Sequence, residues 1–227
     1  MYLENAAPVE AGIKKALENC GRSRESLTLI AVSKTKPVEA VLEAYAAGQR
    51  DFGENKAQEM TAKREVCPAD IRWHFIGHLQ TNKLKMVLPY ATIVESVDSV
   101  HLLKEIEKWA AANGKSIQVL LELHIGQEET KQGFSEEEIL ELLFSASDYP
   151  HIRFRGLMGM ASNTDDESLI DADFERIDSF MAYIVDLFPE LAEFNQLSIG
   201  MSGDYRIALR HGSTEVRIGT FIFGERA

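Results

Sequence analysis

LTLIAVSKTKP, residues 27–37, decides how the rest of the chain is read. Residues 27–33 are all apolar or small, and Thr28, Ile30 and Val32 among them are β-branched. A continuous run of this kind, ended by Pro37, reads as a strand buried on both faces, the kind found in parallel sheets. Side chains alternate along a strand, so Thr28, Ile30, Val32 and Lys34 share one face. Lys34 therefore stands at the C-terminal end of a buried strand, and two readings are open there. The ammonium can snorkel to water along its own stem. Alternatively it loses hydration, its pKa falls, and the neutral amine can attack a carbonyl.

Outward from this stretch the chain alternates. Residues 4–20 carry Val9, Ile13 and Leu17 at helical spacing and stop at Gly21. After the strand, Pro37 opens a helix that Gly48 closes. Further strands are expected at 50–53, 72–76, 92–96, 117–125, 152–158, 196–199 and 215–218. Helices are expected between them at 56–66, 82–88, 99–113, 135–144, 166–188 and 204–210, and the fifth strand, 117–125, carries His124 near its end. Ser135 with Glu138 three residues on is a capping box. Eight strands with helices between them follow the βα rhythm. In 227 residues this points to an α/β fold, a single (β/α)8 TIM-type barrel with an extra N-terminal helix, as one domain over residues 1–227. The tail FIFGERA is too short for a full covering helix. The extra first helix would cover that gap if the first and last strands are neighbours, which favours closure over an open doubly wound sheet.

Composition excludes several classes. A net charge of −12 argues against non-specific nucleic-acid binding. No stretch is apolar for long enough to span a membrane, and the N-terminus lacks the basic start of a signal peptide, so the cytosol is the expected location. Two cysteines, Cys20 and Cys67, fit a reducing compartment and have no metal-site spacing.

In a barrel the C-terminal strand ends build the site. Here those ends carry Lys34, Asn55, His78, Ser96, His124 and Met160 in turn. The last two ends add LSIGMSGD and GSTEVRIGT, which place Met201, Ser202, Gly203, Gly219 and Thr220 in adjacent loops. Glycines let backbone amides approach an anion and hydroxyls add donors, so these loops can bind phosphate, unless they are ordinary turns. In EVRIG, the alternation turns Glu215, Arg217 and Gly219 towards the barrel axis. An inward arginine needs a partner, either Glu215 or another interior acid, or a ligand. His74 and His78 are four apart but lie on a strand and its turn, so no metal is expected, and Met158, Met160 and Met201 read as packing. A lysine able to form a Schiff base, a phosphate cup and an inward arginine together describe a site for pyridoxal 5′-phosphate (PLP). A Schiff-base aldolase for phosphosugars shares the first two features and would add an interior acid or base.

The motifs AVSKTKP (31–37), FGEN with QE (52–55, 58–59), WHFIGHLQTNK (73–83), GLMGM (156–160), LSIGMSGD (197–204) and GSTEVRIGTFIFG (212–224) run through nearly the whole chain in order. With them the sequence resembles the pyridoxal phosphate homeostasis protein family, whose fold is similar to the N-terminal barrel of alanine racemase. The resemblance implies a PLP-binding protein of intracellular cofactor and amino-acid balance, without established turnover. It implies Lys34 as the Schiff-base lysine and Asn55 beside it. It also implies Ser202, Gly219 and Thr220 on the phosphate, Met201 in the same loop, and Arg217 at the ring nitrogen. Lys36 and Lys131 fall where the family tends to keep lysines. Lys56 and Ala57 stand where an aromatic is usual, and Ile199 where Met is usual.

Three functions follow as expectations. A carrier or regulator would hold PLP with an arginine that discourages ring protonation, would act as a monomer, and would pass the cofactor to apo PLP enzymes. An amino-acid racemase would need acid/base groups on both faces, for which Tyr205 is the local partner to Lys34. The aldolase would carry no chromophore.

Overall fold

The buried run at 27–33 forms β1 (Thr28–Val32), and every later strand pairs parallel to its predecessor. The computed structural model describes residues 2–126 and 132–224. Along the chain come α1 (Tyr2–Asn19), β1, α2 (Val38–Ala46), β2 (Asp51–Glu54), α3 (Ala57–Val66), β3 (Arg72–Phe75), α4 (Leu84–Val87) and β4 (Ala91–Val97). Then follow α5 (Val100–Asn113), β5 (Ile117–Glu122), α6 (Glu136–Phe144), β6 (Ile152–Met158), α7 (Glu167–Leu187), β7 (Gln196–Ser198), α8 (Tyr205–Arg210), β8 (Glu215–Ile218) and α9 (Thr220–Phe223). The strands close into a barrel in the order β1 to β8, with Thr28 beside Glu215 and Ala31 beside Ile218 sealing the seam.

Closure explains the extra helix. α1 packs against α2, α8 and α9, and Asn5 donates its side-chain amide to the Ile222 carbonyl (3.0 Å). The tail after β8 forms a single turn, α9, and not a full covering helix, as its length implied, and α1 packs over it. The main apolar core lies between the barrel and its helices, with Trp73, Phe52, Phe174 and Ile13 fully enclosed. A separate small cluster, Ile93, Leu120 and Met158, joins the inward side chains of β4, β5 and β6.

The capping box at Ser135 and Glu138 forms as read, and Gly114 closes α5 in the left-handed conformation (φ 59°). β6 shifts register against β5 between Val119 and Leu120, and there Gly156 takes φ 150°. A Cβ at that position would collide with the Gln196 carbonyl of β7, so only glycine fits. Three expected elements come out differently. β5 stops at Glu122 instead of continuing to Ile125, because Leu123 leaves the ladder to bridge Phe134. β7 stops at Ser198, because Gly200 turns the chain at φ 96°. The helix expected at 82–88 divides into a 3₁₀ turn (Thr81–Lys83) and the single turn of α4.

Candidate cofactor site

Barrel order decides which strand ends meet. β7, β8, β1 and β2 are consecutive around the closed sheet, so Ser202, Gly219 and Thr220, Lys34 and Asn55 occupy one continuous arc of the C-terminal rim. The structure thus gathers the sequence-predicted residues on one side of one mouth. Gly219 sits above β1: a Cβ there would lie 3.1 Å from the Val32 carbonyl, so the β8 end hugs the strand that carries Lys34. Lys34 itself is half-buried, as is Asn55, whose Oδ1 is buried without a hydrogen-bond partner. Met201 and Met160 are exposed at the rim while Met158 is buried inside, so the three methionines are not one packing cluster.

Arg217 does point into the barrel, 4% exposed. Its Nη1 donates to the carbonyl (2.7 Å) and hydroxyl (2.6 Å) of Ser198, and its Nη2 to the Gly159 carbonyl (2.9 Å). Two of its five N–H groups lie outside these bonds. The acid beside it is Glu95 (3.9 Å), not Glu215. Glu95 accepts from Ser198 (2.6 Å) and meets His74 Nδ1 (2.6 Å). Since β4 and β7 are not neighbours, the Glu95–Ser198 bond crosses the interior and buttresses the arginine from below.

His74 faces carboxylates through both ring nitrogens, Glu95 at 2.6 Å and Asp51 at 3.3 Å. Burial would lower its pKa, but those two hydrogen bonds and the nearby Glu95 and Glu215 charges outweigh it and push it up to about 10. His74, Glu95 and Glu215 lie close enough to share a cation. With a carboxylate on each nitrogen, however, His74 is an imidazolium and offers no lone pair. His78 points elsewhere, exposed and paired with Asp98 (2.8 Å). Glu215 is pushed up to about 7, by burial first and by the Glu95 charge second.

The imidazolium makes stability depend on pH. Below the ordinary value of 6.5, folded and unfolded chains both hold the proton and the contribution is complete. Between 6.5 and about 10 only the folded chain holds it, so stability falls as pH rises and the contribution is gone above that range. The groups that set this are Asp51 on β2, Glu95 on β4, and Glu215 and Arg217 on β8. Urea midpoints taken from pH 7 to 10 should decline, by at most about 1.4 kcal/mol per pH unit. A flat profile would show that His74 is neutral in the fold.

The turn carrying Lys34 is unusual. Thr35 has φ 65°, a left-handed backbone rarely adopted by a β-branched residue. Such a conformation costs on the order of 1–3 kcal/mol and persists where its surroundings enforce it. The Thr35 amide donates to Glu59 Oε1, and the Lys36 amide donates to the Ser33 carbonyl (3.0 Å). Lys36 is half-buried on this turn, and Lys131 lies outside the described residues.

Next to the loop after β7, a cavity of about 690 Å³ opens between the ends of β5, β6 and β7, lined by Glu122, Ser162, Asn163, Met201 and Asp204 among others. Glu122 is buried, and its Oε2 has no partner. Burial, with the Asp98 charge behind it, pushes its pKa up to about 7. Tyr205 is buried on the outer side of the barrel, its hydroxyl against Gly12 of α1.

Sequence reasoning missed Glu95 and Ser198. Glu95 sits in TIVES, where alternation with Ile93 on the same face was the available signal.

Residues 13–227 of this closed parallel barrel match the model of the alanine racemase N-terminal domain family. Among curated relatives, the pyridoxal phosphate homeostasis protein of Vibrio alginolyticus is 39% identical over 98% of this chain and 97% of its own. That of Escherichia coli K12 is 38% identical over 98% of this chain and 95% of its own. The chain belongs to the pyridoxal phosphate homeostasis protein family. Among solved structures, PipY of Synechococcus elongatus with PLP bound is 34% identical and superposes with a TM-score of 0.81, covering 93% of this chain and all of that one (100%).

Proposed function

We propose that this chain binds pyridoxal 5′-phosphate and serves PLP homeostasis as a carrier or regulator, passing the cofactor to apo PLP enzymes inside the cell. The observation that carries the reading is the arc at β7–β8–β1–β2, which places an amine, an amide, hydroxyls and a guanidinium around one mouth. The same ligand occupies PipY, and the curated relatives carry the homeostasis name. The residues fit the group. The Asn55 side chain ends at the rim with its Oδ1 unpaired, leaving the amide to answer a ligand, and Gly219 keeps the rim above Val32 clear of a side chain.

When bound, PLP supplies an aldehyde for covalent attachment to an amine and a ring that withdraws electrons from what is attached. Lys34 is the amine. Ser202, Gly219 and Thr220 donate to the phosphate, Met201 flanks it, and Asn55 lines the pocket beside Lys34. Arg217 would offer one of its remaining N–H groups to the ring nitrogen and, being a fixed cation, would keep that nitrogen unprotonated. A ring held this way is a weak electron sink, which suits storage more than turnover. A racemase reading asks for a proton donor opposite Lys34, and the Tyr205 hydroxyl lies against α1 outside the barrel. No helix among the described residues is long and apolar enough to cross a membrane.

Titration of the purified protein with PLP and with pyridoxal, followed by absorbance, tests the phosphate half of the site. Pyridoxal lacks the anion and should bind about 100-fold more weakly, a difference of about 2.7 kcal/mol. Equal affinities would remove the loops after β7 and β8 from the site.

A further inference from the structure

The two residues flanking Lys34 are both tied to one buried set of charges. Lys63 on α3 is 3% exposed. Its ammonium donates to the Ser33 carbonyl (2.7 Å), to Glu54 Oε1 on β2 (2.7 Å) and to Glu59 Oε1 (2.9 Å), which accounts for all three of its protons. The Ser33 hydroxyl donates to the same Glu54 oxygen (2.6 Å), and the Thr35 amide donates to Glu59. An ion pair that only cemented α3 to β2 would not need to engage the backbone on both sides of a single lysine.

We propose that Glu54, Glu59 and Lys63 form a positioning brace that holds Thr35 in its left-handed conformation and so sets the direction and reactivity of the Lys34 amine. Its meaning for PLP rests on the function proposed above; the brace itself rests on the hydrogen bonds. Ser33 is held from below by Lys63 and Glu54. Thr35 is held from the side by Glu59, which the i,i+4 contact with Lys63 keeps in place. The Lys34 side chain leaves the backbone between these two fixed points. Released from Glu59, Thr35 relaxes to an ordinary φ, and the stem of Lys34 swings with it.

The test reads Lys34 with and without cofactor. In the cofactor-free protein, reductive methylation with formaldehyde and cyanoborohydride is followed residue by residue by mass spectrometry. Glu59→Ala removes the acceptor for Thr35 yet leaves the buried Lys63–Glu54 pair, so this variant folds even if Lys63→Met does not. Methylation of Lys34 should change at least about fivefold in Glu59→Ala, with exposed Lys115 unchanged, and PLP, which must meet the amine at a fixed place, should attach about tenfold more slowly. Glu59→Gln keeps an oxygen in place and should restore both rates to within about threefold. Lowered melting temperature in Glu59→Ala with wild-type Lys34 labelling would overturn the brace and leave a purely structural ion cluster. Should wild-type protein attach no PLP while Lys34 labelling still follows the Glu59 substitutions, the cofactor reading fails and the brace stands.

Discussion

Lys34→Ala should yield a folded protein to which borohydride fixes no PLP and whose yellow band is absent. The fold is expected to survive because the bonds holding this turn, from Lys63 to the Ser33 carbonyl and from the Thr35 amide to Glu59, are made by the backbone. Removing the amine removes the covalent attachment outright, and PLP retained by the phosphate loops and Arg217 alone should bind at least about 100-fold more weakly. Peptide mapping of the borohydride-treated wild type should find the label on Lys34. Label found on another lysine, or undiminished in Lys34→Ala, would move the attachment point elsewhere in the chain.

Arg217→Glu should cost more than any other single change in the site. The guanidinium answers two carbonyls and a hydroxyl and stands 3.9 Å from Glu95. A carboxylate in its place would face acceptors on every side, with like charge from Glu95 below. Leaving a buried charge without its partner costs about 3–5 kcal/mol, and adding a like charge raises that further. We expect a fall in stability of at least about 4 kcal/mol by urea denaturation, so the consequence for PLP is read better in Arg217→Met, where the like-charge clash is absent. A loss below about 1 kcal/mol in Arg217→Glu would mean that the buried network does not depend on the guanidinium.

How much of this could be read from residues alone depended on the range of the interactions. β6 and β8 begin and end where alternation and the following glycines place them, and the closed barrel follows from counting βα units. Strand ends were less legible where a tertiary contact decides them: Leu123 leaves β5 for Phe134, a partner eleven residues on. The inward face of Arg217 was visible in a period of two. Its partner was not, because Glu95 is contributed by a strand on another part of the barrel and no local spacing records which interior residues meet. The brace under Lys34 was hidden for the same reason. Glu54, Glu59 and Lys63 look like a strand-end acid and an ordinary charged helix face, and only folding brings them to Ser33 and Thr35.

The seam between β1 and β8 also bears on when the site comes into being. Asn5 bonds to Ile222 across 217 positions, and the two loops proposed for the phosphate lead into α8 and α9, which rest on α1. A ribosome makes one end of this seam first and the other last. Contacts of such long range close late, after the intervening chain has been synthesised. The nascent chain can display Lys34 early, but the second of the loops proposed to hold the phosphate is missing until β8 has emerged. On the proposed site, capture of the cofactor therefore waits for the eighth strand, and a translating ribosome carrying the first seven should show none.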